Sequence, residues 1–291
     1  MLTIENVSAA YNGRMVLHAV SLSARAGEIV GVIGPNGAGK SSLLRVISGT
    51  LKATTGSVHL DGMDLAHQTE IERARQIAVV SQNAHLPEAF TVGEIVLMGR
   101  TPYLSFLGGE RPRDYQIADQ AMRRTGTQEF APRRVGELSG GEQQRVLIAR
   151  ALAQVTDPST RSGQASAISS GEPQVLLLDE ATAHLDLKHQ MAIWELVRQL
   201  ARSGLTVIAA LHDLNLAAQY ADRLALLREG ELLVCDQPAR VLTREWLRRA
   251  YDVAAIVSAH PLYHTPMVAL ISEERATTDE RDWTLTNTDQ H

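Results

Sequence analysis

A single cysteine, three lysines and 4% aromatic residues are what this 291-residue chain offers of three usually informative classes. One cysteine, Cys235, excludes an internal disulfide and fits a reducing cytosol. Its expected role is packing at the end of a strand rather than reactivity. Long apolar runs are also missing; none approaches the ~18 residues needed to cross a bilayer. Nor does a charged-then-apolar leader open the chain, because Met1-Leu2-Thr3-Ile4-Glu5-Asn6-Val7 alternates like a strand. Excess positive charge is absent, the net charge being −5, so the molecule as a whole presents no field for a polyanion. Against 25 arginines the scarcity of lysine makes Lys40 conspicuous. What is present, 44% hydrophobic and 21% charged residues, belongs to a globular chain of one large domain or two modest ones.

Apolar segments alternate with helical patterns along most of the chain. Leu2–Val7 and Val16–Leu22 read as strands around a Tyr11-Asn12-Gly13 turn. Ser57–Leu60 and Ile77–Val80 add two more, and Pro173–Asp179 and Leu205–Leu211 are near-continuous apolar runs, as in parallel strands covered on both faces. Leu187, Met191, Trp194, Val197 and Ala201 mark one predicted helix face, ending at Gly204. Residues 83–154 carry a mostly helical pattern and read as a subdomain inserted into the sheet domain. The Ser-, Gly- and Thr-rich stretch 156–172 predicts a mobile surface loop, and the polar segment after Ile271 a frayed tail. The alternation predicts an α/β core.

Three motifs carry the chemistry. Gly34-Pro35-Asn36-Gly37-Ala38-Gly39-Lys40-Ser41, followed by Ser42, matches G-x-x-x-x-G-K-[ST] between the apolar run Ile29–Ile33 and a helical run through Leu43, Leu44, Val46 and Ile47. Such a loop turns backbone N–H groups and a helix N-terminus toward one anion. Lys40 would supply charge to the β/γ-phosphates and Ser41 a hydroxyl for Mg²⁺. Val175–Leu178 then delivers Asp179 and Glu180, one carboxylate suited to Mg²⁺ and one to orienting and deprotonating a water. Finally, Ser139-x-x-Glu142 forms a capping box, and Gly140 and Gly141 would expose backbone at that helix end, a second anion site.

The loop 34–41, the stretch Leu138-Ser139-Gly140-Gly141-Glu142-Gln143-Gln144, the strand 175–180 and Leu211-His212-Asp213 together resemble the ATP-binding subunit of ABC transporters, over roughly residues 2–250. The resemblance implies an ABC-type P-loop ATPase fold with an N-terminal antiparallel β subdomain and the helical insertion, residues 251–291 forming a C-terminal extension. It implies ATP and Mg²⁺ as cofactors, Tyr11 stacking on adenine, and Gln82 sensing Mg²⁺ and the attacking water. His212 would contact the γ-phosphate. A second copy, paired head to tail, would bring its Ser139, Gly140 and Gly141 over the γ-phosphate held by Lys40. Taken alone, Gln82 reads as a solvated strand end, His212 as structural and Tyr11 as a hairpin-packing aromatic. One departure stands out: Ala181-Thr182-Ala183-His184-Leu185-Asp186 replaces the family's usual Pro-Thr-Ser-Ala-Leu-Asp.

Met98-Gly99-Arg100-Thr101-Pro102-Tyr103, the run from Leu211 to Asp222, and Val241-Leu242-Thr243 leading to Tyr251-Asp252-Val253 look similar to the ATPases of importers for ferric siderophores, haem and cobalamin. Iron complexes are the favoured cargo and cobalamin the alternative. The partners implied are an integral membrane permease and, indirectly, a periplasmic or lipoprotein substrate-binding protein, with the chain peripheral on the cytoplasmic face. A soluble ABC protein acting on nucleic acid would call for two fused halves or a long coiled coil and a basic face, features this sequence lacks.

Overall fold

The computed structural model describes residues 1–81, 86–104, 108–156, 174–182 and 185–271. The chain opens with β1 (Leu2–Tyr11) and β2 (Arg14–Ala24), joined through Asn12 and Gly13, both at positive φ as a type I′ hairpin requires. After β3 (Ile29–Ile33) and α1 (Lys40–Ser48) come β4 (Thr55–Leu60), β5 (Met63–Asp64), α2 (Glu70–Gln76) and β6 (Ile77–Ser81). Strands β2-β1-β4-β5 form an antiparallel sheet. Then follow α3 (Val92–Leu97), α4 (Pro112–Thr125), α5 (Gly140–Val155), β7 (Val175–Asp179), α6 (Leu187–Arg202), β8 (Thr206–Ala210) and α7 (Leu214–Tyr220). The chain continues through β9 (Arg223–Arg228), β10 (Glu231–Asp236), α8 (Pro238–Val241), α9 (Arg244–Tyr251), β11 (Ala254–Ala259) and β12 (Pro266–Ile271).

The second sheet runs β10-β9-β3-β8-β7-β6, parallel except for the β9–β10 pair. Side chains alternate across it, and each face buries a different set. Ile29, Ile33, Leu176, Leu178, Val207 and Ala209 pack with the helices, whereas Val30, Val32, Val175, Leu177 and Ile208 pack with α1 and the antiparallel sheet. Both faces are dry, which explains the unbroken apolar runs in the sequence. Because β3, β6, β7 and β8 are parallel, their C-terminal ends share one edge, where ligands of open α/β sheets gather.

Between β6 and β7 the described backbone is helical, with 3₁₀ turns at Met98–Tyr103, Gln128–Phe130 and Val135–Glu137. Thr91 and Glu94 make a capping box that starts α3, and Gly126 in the left-handed region ends α4. Long α5 is tied back to the sheet: Gln154 Nε2 donates to the carbonyls of Ala74 and Ile77 at 2.8 and 3.1 Å. The guanidinium of Arg100 is wholly buried. It donates to Asp114 Oδ1 (3.0 Å) and to the carbonyls of Ala153 (2.5 Å) and Thr156 (2.7 Å), and stacks 3.8 Å from the Tyr103 ring centroid.

Two sequence expectations meet the structure differently, and a third, Cys235 packing near the end of a strand, is met. On α6, Trp194, Val197 and Ala201 are buried with Ile193 and Leu200, but Leu187 and Met191 are exposed, so the apolar stripe begins about two turns later than expected. The C-terminal extension contains the hairpin β11–β12, fastened by Asn215: its amide donates to the Val268 carbonyl (3.2 Å) and its Oδ1 accepts from the Val268 N–H (2.7 Å). Cys235 sits in β10, half-buried beside Arg223, and burial pushes its thiol up from the ordinary range. The expected loop at 156–172, beyond Thr156, and the tail after Ile271 lie outside the described residues.

Candidate active site

The loop after β3 is shaped by its first glycine. Gly34 has φ 148°, and a Cβ there would stand 2.2 Å from the Leu227 carbonyl oxygen, so the loop can pass under β9 only as glycine. Lys40, the first residue of α1, folds back over this loop: its Nζ donates to the carbonyls of Gly34 at 2.8 Å and Pro35 at 3.1 Å. Burial pushes the Lys40 ammonium down from its ordinary range, while Glu180 and Asp179 pull it part of the way back. A cation partly stripped of water at a helix N-terminus is suited to take a phosphate as its partner.

The strand ends supply the rest. Register aligns Ser81, Asp179 and Ala210 across β6, β7 and β8. Asp179 Oδ1 accepts a 2.8 Å bond from the Ser41 hydroxyl, joining the loop to the carboxylate strand. One residue on, Glu180 adopts φ 51°, a left-handed conformation rare for a residue with a side chain. Its Oε1 lies 2.5 Å from His212 Nε2, the histidine standing two residues beyond β8. The His212 turn is held in turn by Asp213, whose carboxylate accepts from the N–H groups of Asn215 (2.8 Å) and Leu216 (3.0 Å) to start α7. Lys40, Ser41, Asp179, Glu180 and His212 thus converge at one edge of the sheet. Gln82 follows Ser81 directly but lies outside the described residues.

A cleft of about 660 Å³ opens over the loop, lined by Asn36 through Ser42 and Glu180, and on its far wall by Arg14, Met15, Val16, His18 and Glu229. The far wall was not foreseen from the sequence. It exists because β2 and the β9–β10 turn dock on the loop: the His18 N–H donates to the Gly230 carbonyl (2.8 Å) and the Gly230 N–H to the Ala38 carbonyl (3.0 Å). Nothing local in either segment signals that meeting. Tyr11, half-exposed, pairs with Arg14 across the hairpin at the rim, yet does not line the cleft itself. Tyr251, at the end of α9, is also buried toward the loop; burial raises its phenol, with the Gly34 backbone opposing.

Ser139, Gly140 and Gly141 do not line this cleft. Ser139 caps α5, its N–H and hydroxyl both donating to Glu142 Oε2 at 2.8 Å, and Glu142 is held below the usual carboxylate range by those two bonds. Ser139 and Gly140 are exposed. One copy of the chain therefore has the loop 34–41 beside Asp179, Glu180 and His212 in one place and a second anion-suited helix end in another.

Fold and site define an ATP-hydrolysing cassette. The ABC transporter family profile matches residues 17–157, and the chain belongs to the ATP-binding subunits of that family; it is an ATPase. The hemin import ATP-binding protein HmuV of Gloeobacter violaceus is 46% identical over 268 residues, 92% of this chain and 93% of that protein. Its namesake in Methylobacillus flagellatus is 41% identical, covering 92% and 96%. The cobalamin import ATP-binding protein BtuD of Halobacterium salinarum is 43% identical over 86% of this chain and 58% of its own length. Among solved structures, a chain of an ABC transporter assigned to the metal-chelate type, in an inward-facing conformation, superposes with a TM-score of 0.76 at 25% identity, covering 94% of this chain and 98% of that one.

Proposed function

We propose that two copies of this chain pair head to tail around two ATP molecules and power haem uptake through a separate membrane permease. The observation that carries the cargo is the 46% identity, over nearly the whole chain, to a protein named for hemin import. Cobalamin is the second reading, favoured by the 43% identity to a cobalamin import subunit. Among the described residues no helix is long and apolar enough to cross a membrane; in this reading the permease is a separate chain and this one sits at its cytoplasmic face. A periplasmic or lipoprotein binding protein would deliver the haem.

In this reading the loop 34–42 cradles the phosphates and Lys40 exchanges its two carbonyl partners for the β/γ-phosphate oxygens. Ser41 and Asp179, a hydroxyl and a carboxylate already 2.8 Å apart, suit a hard cation that keeps most of its ligands as water and phosphate, and these two would hold Mg²⁺. Mg²⁺ supplies charge neutralisation on the phosphates. Glu180 accepts the proton of the attacking water as its oxygen bonds to the γ-phosphorus and the bond to the ADP oxygen breaks. His212, bonded to Glu180, steadies that carboxylate and meets the γ-phosphate, and Gln82 senses Mg²⁺ and the water. Tyr11, at the rim, stacks on adenine. Ser139, Gly140 and Gly141 of the second copy close over the γ-phosphate, consistent with the exposure of Ser139 and Gly140 away from the chain's own cleft. The permease would meet the Met98–Tyr103 turn, where Met98 and Thr101 are exposed while Arg100 anchors the turn from inside. Reconstituting the chain with its permease and binding protein tests the cargo: ATP-dependent accumulation of haem supports the reading, and accumulation of cobalamin alone would replace it.

A further inference from the structure

The first turns of α6 hold two parts of the site at once. Gln190 Nε2 donates to the Thr182 carbonyl at 2.9 Å, and the Trp194 indole N–H donates to the Thr182 hydroxyl at 3.2 Å. Both bonds pin the chain two residues beyond Glu180. One position before Gln190, His189 lies against the N-terminus of α5. A Cβ on Gly141 would stand 2.3 Å from His189 Cδ2, 2.6 Å from Cγ and 3.0 Å from Cβ. The imidazole therefore occupies the space of a side chain at position 141, and turning the ring alone would not clear it. Gly140 is different: its nearest neighbour is Leu185 Cδ2 at an ordinary 3.6 Å. Of the two glycines, only Gly141 is demanded by packing within its own chain.

His189 is itself clamped. Its Nδ1 lies 2.8 Å from Asp186 Oδ1, the same oxygen that accepts the His189 backbone N–H at 2.9 Å. Those bonds, the backbone one foremost, hold the Asp186 carboxyl below its ordinary range, so the partner is a carboxylate and Nδ1 carries the proton. The Cδ2 edge of the ring is left facing Gly141.

We propose that His189 is a positioning residue: clamped by Asp186, it wedges the Ser139–Gly141 helix end against the segment that follows Glu180, keeping the phosphate cover offered to a second copy at a fixed separation from the chain's own hydrolytic base. The inference rests on the head-to-tail reading above. It accounts for how events at one nucleotide reach the other within a single chain, through two adjacent residues of α6. His189 is no neighbour of the phosphate loop, so ATP affinity of the single chain is independent of it.

The test uses the full-length chain assembled with its permease. His189→Ala should lower kcat about ten- to a hundredfold through misplacement of the cover. The Hill coefficient for ATP should fall toward one, while the Kd of the isolated chain for MgATP stays within about twofold. His189→Gln, which keeps a donor for Asp186 but not the flat ring, should move in the same direction and carries the test if the alanine variant fails to fold. Gly141→Ala should be better tolerated in a His189→Ala background than alone. A folded position-189 variant with wild-type kcat and cooperativity, or Gly141→Ala equally harmful in both backgrounds, would overturn the proposal. Glu180→Gln run alongside separates the premises: if it forms no ATP-dependent dimer, the head-to-tail reading fails, whereas a dimer with unaltered His189 variants defeats only the wedge.

Discussion

Asp114→Ala is the most demanding perturbation of the helical region, because it strips the carboxylate from a guanidinium with no exposure to solvent. Breaking a buried pair by removing one partner costs about 3–5 kcal/mol, since the remaining charge stays dehydrated. Against a total stability of about 5–15 kcal/mol, this is a large share. Arg100→Met acts differently. It forfeits the bonds to the Ala153 and Thr156 carbonyls and to Asp114, but Asp114 keeps the Arg111 N–H at 3.0 Å, and the dehydrated cation is gone. We expect about 2–4 kcal/mol for it, from lost charged hydrogen bonds partly offset by relief of desolvation. Combining the two should then cost less than their sum, by about 1–3 kcal/mol of coupling. Urea unfolding of the four proteins, followed by circular dichroism, measures this cycle. Strictly additive losses, or a loss below about 1 kcal/mol for Asp114→Ala, would refute the view that this pair fastens the Met98–Tyr103 turn to α4 and α5.

Other outcomes follow from the site. Lys40→Ala should weaken nucleotide binding by about 10- to 150-fold, the worth of a charged hydrogen-bond contact, as read by calorimetry. In the wild type, phosphate should raise the lowered Lys40 ammonium pKa, so binding takes up protons at alkaline pH and affinity falls as pH rises through the free-state value; calorimetry in buffers of different ionisation enthalpy would register no uptake if Lys40 is not the partner. Gly34→Ala should fold with a displaced loop and lose ATP binding, because its Cβ meets the Leu227 carbonyl; normal binding would contradict the geometry. Asp114, Glu72, Glu94 and Glu142 all have folded-state values below their unfolded 3.8 or 4.5. Their contributions are present above those unfolded values and vanish as pH falls through the lowered ones; the three glutamates are screened by solvent, so the urea midpoint should fall in acid chiefly through Asp114 and fall less in Asp114→Asn.

Much of this was legible because motif and local structure coincide. Residues 34–42 read as a phosphate loop from their glycines and flanking apolar runs, and Ser139 as a helix cap from Glu142 three residues on. Paired Asp179 and Glu180 at the end of an apolar run read as site carboxylates. What was hidden depends on contacts between distant segments. The far wall at Arg14–His18 and Glu229 arises only when two turns dock on the loop. Arg100 looked like one arginine among many, and nothing in its neighbours signals that Asp114, Ala153 and Thr156 enclose it. Leu187 and Met191 carry the right spacing for burial but are exposed, because in the first turns of α6 it is His189 and Gln190 that meet the rest of the chain. The hairpin β11–β12 escaped notice because what fastens it, the two Asn215 bonds to Val268 and the burial of Ala255 and Val268, joins distant segments.

Head-to-tail closure on ATP is tested most directly by the mass of Glu180→Gln in solution, measured by light scattering with and without MgATP. In the proposed mechanism this variant binds the nucleotide without cleaving it. The variant should shift from monomer to dimer with ATP and not with ADP, and a further Ser139→Arg change at the cover should abolish the shift. A protein that binds ATP yet stays monomeric, with its permease also present, would contradict the account.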